Sequence, residues 1–255
     1  MAAPLAFAQD ILPGAARTAD VVFLGEQHDN PGHHAVQAKW TAALAPSALV
    51  FEMLTPQQAA RVTADVRRSQ AALGSALEWD GSGWPDFALY YPIFEAAPAA
   101  EVYGAGVPRA EIRGVMQQDI AQIFGPQDAA RFGLDVPLDA TQQAAREQMQ
   151  ADAHCNALPA DMLPMMVSVQ RLRDATLARA ALEAVEDTGG PVIVITGNGH
   201  ARTDWGAPLY LQTAAPGLSV FALGQGENGR TPPGGFTAMA DGPAVTREDP
   251  CDVFN

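Results

Sequence analysis

Two stretches of the chain place a glycine, two intervening residues and a histidine directly after an apolar run. In "VVFLGEQH" Gly25 is followed by Glu26, Gln27 and His28, and in "PVIVITGNGH" Gly197 is followed by Asn198, Gly199 and His200. A third apolar run, "ALVFEM", carries Glu52 near its end. Imidazoles and carboxylates gathered at one place suit general acid and base work on a bound water, or ligation of a divalent metal. Negative charge nearby raises a histidine pKa, whereas a metal keeps the ring neutral. One such motif alone reads as a turn whose histidine bonds a backbone carbonyl. Two of them, with a glutamate closing a third run, are read as one shared site: Glu26, His28, Glu52 and His200 for catalysis, with His28 and His200 as the metal ligands.

Other residue types suit a bound cofactor. "EWDGSGWPDFALYYPIFEAA" supplies Trp79, Trp84, Tyr90 and Tyr91 in one short stretch. Such a cluster usually builds core, but a tyrosine hydroxyl facing a pocket can ligate ferric haem iron beside an apolar wall. Tyr90 and Tyr91 are the leading candidates, Tyr210 in "APLYLQ" a weaker one, and His154 is either a further ligand or a helix-end histidine favoured by the dipole. Met162, Met165 and Met166 read as core filler, or as thioethers around a large apolar cofactor. His33 and His34 fall after Pro31 on a helix, where neighbours point different ways, so one of them is expected to face solvent or pack locally. There is no Gly-x-Ser-x-Gly elbow, Walker loop or His-Glu-x-x-His pattern.

These residues need a scaffold, and the chain suggests a parallel one. Short apolar runs at 21–24, 48–53, 101–107, 191–197 and 218–223 alternate with helical segments, which predicts an α/β fold: a mainly parallel sheet flanked by helices. In such a sheet ligands bind beyond the carboxyl ends of the strands, where the Gly-x-x-His motifs and Glu52 fall. Pro31 and Thr55-Pro56 mark helix starts, the second running through "PQQAARVTADVRRSQ". Some 85 residues between the third and fourth strands exceed one crossover. They predict a helical subdomain, 125–187, inserted into an α/β core of 1–124 and 188–255. The Gly- and Pro-rich tail from "GQGENGRTPPGGF" reads as loop rather than a further element.

Composition narrows the partners. The 255 residues are 48% hydrophobic, enough for a sizeable core. Acids outnumber bases 29 to 15, and the formal charge of −14 argues against nucleic acid and anionic membrane surfaces. No run approaches the length of a membrane span. "MAAPLAFAQD" contains Ala6-Phe7-Ala8, which has the small-x-small form of a signal-peptide cleavage site, read as the stub of an export signal against an ordinary alanine-rich tail. Cys155 and Cys251 are the only cysteines. In an exported protein they are expected to bridge; in a reducing compartment they are two unrelated thiols.

The stretches "FLGEQHDNPGHH", "WPDFALYYPIFEAA", "HCNALP", "QRLRDATLA" and "VITGNGHARTDWGAPLYL" together resemble the ChaN family of haem-binding uptake proteins, within a superfamily that includes Tiki and TraB proteins and erythromycin esterases. The resemblance implies an α/β core with a helical subdomain, a periplasmic or otherwise exported protein, and haem held by a tyrosine between two protomers of a homodimer. It also implies an alternative, a metal-dependent protease or a His/Glu esterase using Glu26, His28, Glu52 and His200. Two departures stand out. No cysteine precedes Cys155 to carry a lipid anchor, and Trp205 stands where the family motif has tyrosine.

Overall fold

The computed structural model describes residues 12–249 and 251–252, together with the backbone of the short strand at 5–7. Ala8, the end of the proposed cleavage site, lies outside the described residues. Among the described residues seven strands form one sheet: β1 (Leu5–Phe7), β2 (Val21–Glu26), β3 (Ala48–Phe51), β4 (Glu101–Gly104), β5 (Val192–Gly197), β6 (Val220–Glu227) and β7 (Ala238–Gly242). Their order is β1-β7-β6-β2-β5-β3-β4, and every pair is parallel. The predicted α/β class and parallel sheet are therefore present.

Strand β2 shows why the sheet is covered twice. Successive side chains point to opposite faces, and all six β2 residues are buried. Val21 and Phe23 pack on the face covered by the long helix Leu163–Thr188 and by Ala207–Ala214. Val22 and Leu24 pack on the other face, against Trp40 of helix Pro31–Leu44 and Phe94 of helix Phe87–Ala96. Leu172, Ala175 and Ala178 of the long helix share one apolar cluster with β2, β3 and β5. The expected subdomain segment thus includes a helix whose core is the core of the sheet.

Two expectations need correction. The tail holds a strand, because β7 pairs in parallel with β6 through Leu223↔Ala238 to Glu227↔Gly242. A parallel neighbour ordinarily follows a crossover helix; here the short Gly- and Pro-rich connection after Glu227 makes the return, so the usual periodic signal is missing. The helix expected from Pro56 is broken instead. Thr55 caps Pro56–Ala59 with a capping box to Gln58, and Ser69 then caps a separate helix, Gln70–Ala76. Between them Thr63 Oγ1 accepts from Val66 N, a local bond of the kind by which threonine competes with helix propagation.

Cys155 and Cys251 form a disulfide. Four residues before Cys251, Arg247 makes paired hydrogen bonds to Asp29 and to Glu227. The C-terminal segment is thereby tied both to the loop after β2 and to the end of helix Ala140–Ala153.

Candidate functional site

The two Gly-x-x-His motifs are brought together because β2 and β5 are adjacent, with Gly25 opposite Thr196 and Glu26 opposite Gly197. β3 lies on the other side of β5, and Glu52 N donates to Ile195 O just beyond it. The chain passes from β2 outward to β3 and β4, returns at β5, and goes to the opposite side of β2 with β6. This reversal opens a crevice at the carboxyl ends of β2 and β5.

Glycine is required where these loops approach. A Cβ on Gly25 would stand 2.6 Å from Asn198 Oδ1 and 2.8 Å from Leu223 O. One on Gly197 would stand 3.1 Å from His28 Cε1 and Nε2. The second contact shows that the His28 ring lies against the end of β5.

Glu26 is the buried base of the first half. Its Oε1 accepts from Tyr90 Oη at 2.8 Å and pairs with His28 Nδ1 at 2.7 Å, while Oε2 accepts from Gln37 Nε2 at 2.7 Å. His28 therefore carries its proton on Nδ1, and Nε2 has no hydrogen-bond partner among the described residues. Its side chain remains 35% exposed, and its ring stands edge-on to Trp84. Burial opposes the charged form of His28, but the Glu26 hydrogen bond and the charges of Glu52 and Glu26 outweigh it and raise the pKa.

The second half is more strongly charged. His200 Nδ1 lies 2.6 Å from Asp174 Oδ1, and Nε2 lies 3.7 Å from Glu52 Oε1. Burial again disfavours the cation, but the two carboxylates prevail and raise the pKa to about 9, so His200 is an imidazolium at neutral pH. Burial also works against ionised Glu52, yet His200 and His28 hold its pKa below the ordinary value. Thr196 Oγ1 and Gly197 N donate to Glu52 Oε2 at 2.6 and 2.8 Å.

A cavity of about 320 Å³ opens from Glu52 and His200, with Trp84, Val107, Pro108 and Leu177 among its walls. Glu26, His28, Glu52 and His200, the four residues picked from sequence as catalytic, thus belong to one assembly. Asp174 completes it and was missed. Its signal was faint: an acid on the buried stripe of the long helix, in register with Val167, Arg171, Ala178 and Ala181.

Among the expected cofactor ligands, Tyr90 reaches this assembly, while Tyr91, Tyr210 and His154 bond other residues. Tyr90 is fully buried, with its hydroxyl committed to Glu26; burial first, then the charge of Glu26, push its pKa far up. Tyr91 Oη donates to Arg67 O, Tyr210 Oη accepts from Arg171 Nε, and His154 Nδ1 bonds Gln150 O, one turn back on its own helix. Met162 is exposed and Met165 and Met166 are only partly buried, so they are not core filler. His33 and His34 are both buried, and neither faces solvent. His33 accepts from Gln27 N and bonds Gly226 O, and His34 donates to His28 O, so both fix the loop that carries His28.

The sequence reading also named His28 and His200 as ligands of a divalent metal. Carboxylates engage or face both nitrogens of His200. Among the described residues no group of three or more His, Cys, Asp or Glu is arranged to hold a metal ion.

Residues 12–211 match the family described as "Haem-binding uptake, Tiki superfamily, ChaN". Of solved structures, ChaN of Campylobacter jejuni, described as showing cofacial haem binding, is similar in fold at 19% identity, with a TM-score of 0.64 and 83% of each chain covered. The type III effector HopBA1 is similar at 14% identity, with a TM-score of 0.52 and 91% of each chain covered. No curated protein matches the chain.

Proposed function

Because the chain belongs to the haem-binding uptake family of the Tiki superfamily, ChaN, we propose that it binds haem or a related iron complex at the crevice beyond β2 and β5, as an exported cell-envelope protein serving iron uptake. The observation that carries this reading is His28. In the neutral ring Glu26 holds the proton on Nδ1, leaving Nε2 with an uncommitted lone pair on a part-exposed ring. A histidine oriented by a carboxylate in this way is a good iron ligand. Haem bound there would be held through that nitrogen and would supply its iron.

The remaining residues define the seat. Trp84 steadies the ring, and Val107, Pro108 and Leu177 give the crevice apolar walls suited to a porphyrin face. Tyrosine ligation fits poorly, since the hydroxyls of all four tyrosines are hydrogen-bonded within the chain and Trp205 replaces the tyrosine of the motif. The disulfide supports export, because such bonds persist in oxidising compartments. A homodimer enclosing the cofactor belongs to the same reading.

One observation favours a second reading, hydrolysis of an ester or peptide bond. On this reading His28 Nε2 acts as the general base, and the His200 imidazolium, held by Asp174 and Glu52, stabilises developing negative charge or donates a proton. No metal is needed for these roles.

Haem titration followed by absorption separates the two. Saturable binding with a shifted Soret band, lost in His28→Ala and kept in Tyr90→Phe and Tyr91→Phe, is expected. No shift, together with ester or peptide turnover abolished by His28→Ala, would establish the hydrolase instead.

A further inference from the structure

His200 also lines a second cavity, of about 230 Å³, between the helices Ala140–Ala153 and Leu163–Thr188 and the loop after β5. Its exposed lining is mostly apolar, with Met149, Val167 and the Trp205 ring contributing. Arg146 faces into it from Ala140–Ala153 and is only 5% exposed.

Arg146 is underused for a buried guanidinium. It has five N–H donors, yet its one hydrogen bond among the described residues runs from Nη2 to Gln142 Oε1 at 3.2 Å. Its Nε is buried without any partner. Asp174 attracts it through space, but forms no ion pair with it and gives Oδ1 to His200. The neighbouring Arg202 shows the contrast: it stacks on the same Trp205 ring at 3.9 Å, while Arg146 stacks at 4.9 Å, and is satisfied by Asp204 at 2.9 and 2.8 Å. A buried charge left unpaired is strongly unfavourable, so Arg146 calls for a partner from outside the chain.

We propose that this cavity binds an organic carboxylate with an apolar body, whose carboxylate is received by Arg146 and whose body lies along Met149, Val167 and Trp205. The planar guanidinium matches a carboxylate through paired N–H donors on one edge, here Nε, buried without a partner, and the second N–H of the neighbouring Nη2, whose one bond runs to Gln142. Apolar walls favour a carbon chain over a free inorganic anion. The site does not depend on the haem reading, since it uses none of the residues assigned to haem.

The test follows the Trp205 indole N–H in the NMR spectrum of the haem-free protein, assigned through Trp205→Phe. Octanoate, octan-1-ol and inorganic phosphate are titrated separately. Saturable shifts with octanoate alone are expected, weakened at least tenfold in Arg146→Met and also weakened in Arg146→Lys, which keeps the charge without the planar fork. If the methionine variant does not fold, the lysine variant decides. An unresponsive Trp205, equal binding of octan-1-ol or phosphate, or undiminished octanoate binding in the folded variants would overturn the proposal. Because haem is absent throughout, failure here leaves the haem reading standing, and a missing Soret shift leaves this site standing.

Discussion

Asp174 Oδ1 stands 2.6 Å from His200 Nδ1, pairing a residue of the long helix with one that follows the central strand β5. The pair joins the helical layer to the crevice, and it helps to raise the His200 pKa to about 9. Removing the aspartate charge should lower that value by roughly 1–3 units. Asp174→Asn, with the His200 imidazole titrated by NMR, checks this. A midpoint still near 9 would mean that Glu52 alone sets the charge.

Stability should depend on pH through the same residue. The folded pKa of His200 is raised from 6.5 to about 9, so the folded state holds its proton more tightly than the unfolded chain. The resulting stabilisation is fully present below pH 6.5 and is lost as pH rises through about 9. His28, also raised, acts in the same direction. Urea unfolding between pH 6 and 9.5 should show stability falling by at most about 1.4 kcal/mol per pH unit for each proton involved, with a flatter profile in Asp174→Asn. A rise over that range would contradict the imidazolium assignment.

The close approach at Gly25 should be intolerant of a methyl group. Its added Cβ would meet Leu223 O, a backbone atom that cannot swing aside, as well as Asn198 Oδ1. Gly25→Ala should destabilise the protein by about 1–3 kcal/mol, read as a lower denaturation midpoint. Gly197→Ala meets only side-chain atoms at 3.1 Å or beyond, and should chiefly displace His28, weakening whatever the crevice binds more than it weakens the fold. Equal midpoints for Gly25→Ala and the unaltered protein would refute the packing argument.

The Gly-x-x-His pair was legible because its parts are local: an apolar run, a glycine where the chain cannot carry a Cβ, and a polar side chain just beyond. The same holds for the alternating faces of β2 and β5. Asp174 was not legible, since its partner is 26 residues away and a lone acid on an apolar stripe has many explanations. The tyrosines were legible only in part. Their presence was plain, but neighbouring helical positions differ by about 100°, so Tyr90 reaches Glu26 while Tyr91 turns to Arg67. β7 was hidden by a return connection without the usual helix.

Arg247 and Cys251 both fasten the C-terminal segment, and the two fasteners differ in kind. Arg247 clasps Asp29 and Glu227 through ion pairs, which dissolved salt weakens at the part-exposed rim. Cys251 is held to Cys155 by a covalent bond that yields only to electrons. Neither high ionic strength nor a thiol reductant alone undoes both of these fastenings, so releasing Arg247 from the loop beside His28 and Cys251 from the helical layer together calls for both conditions at once.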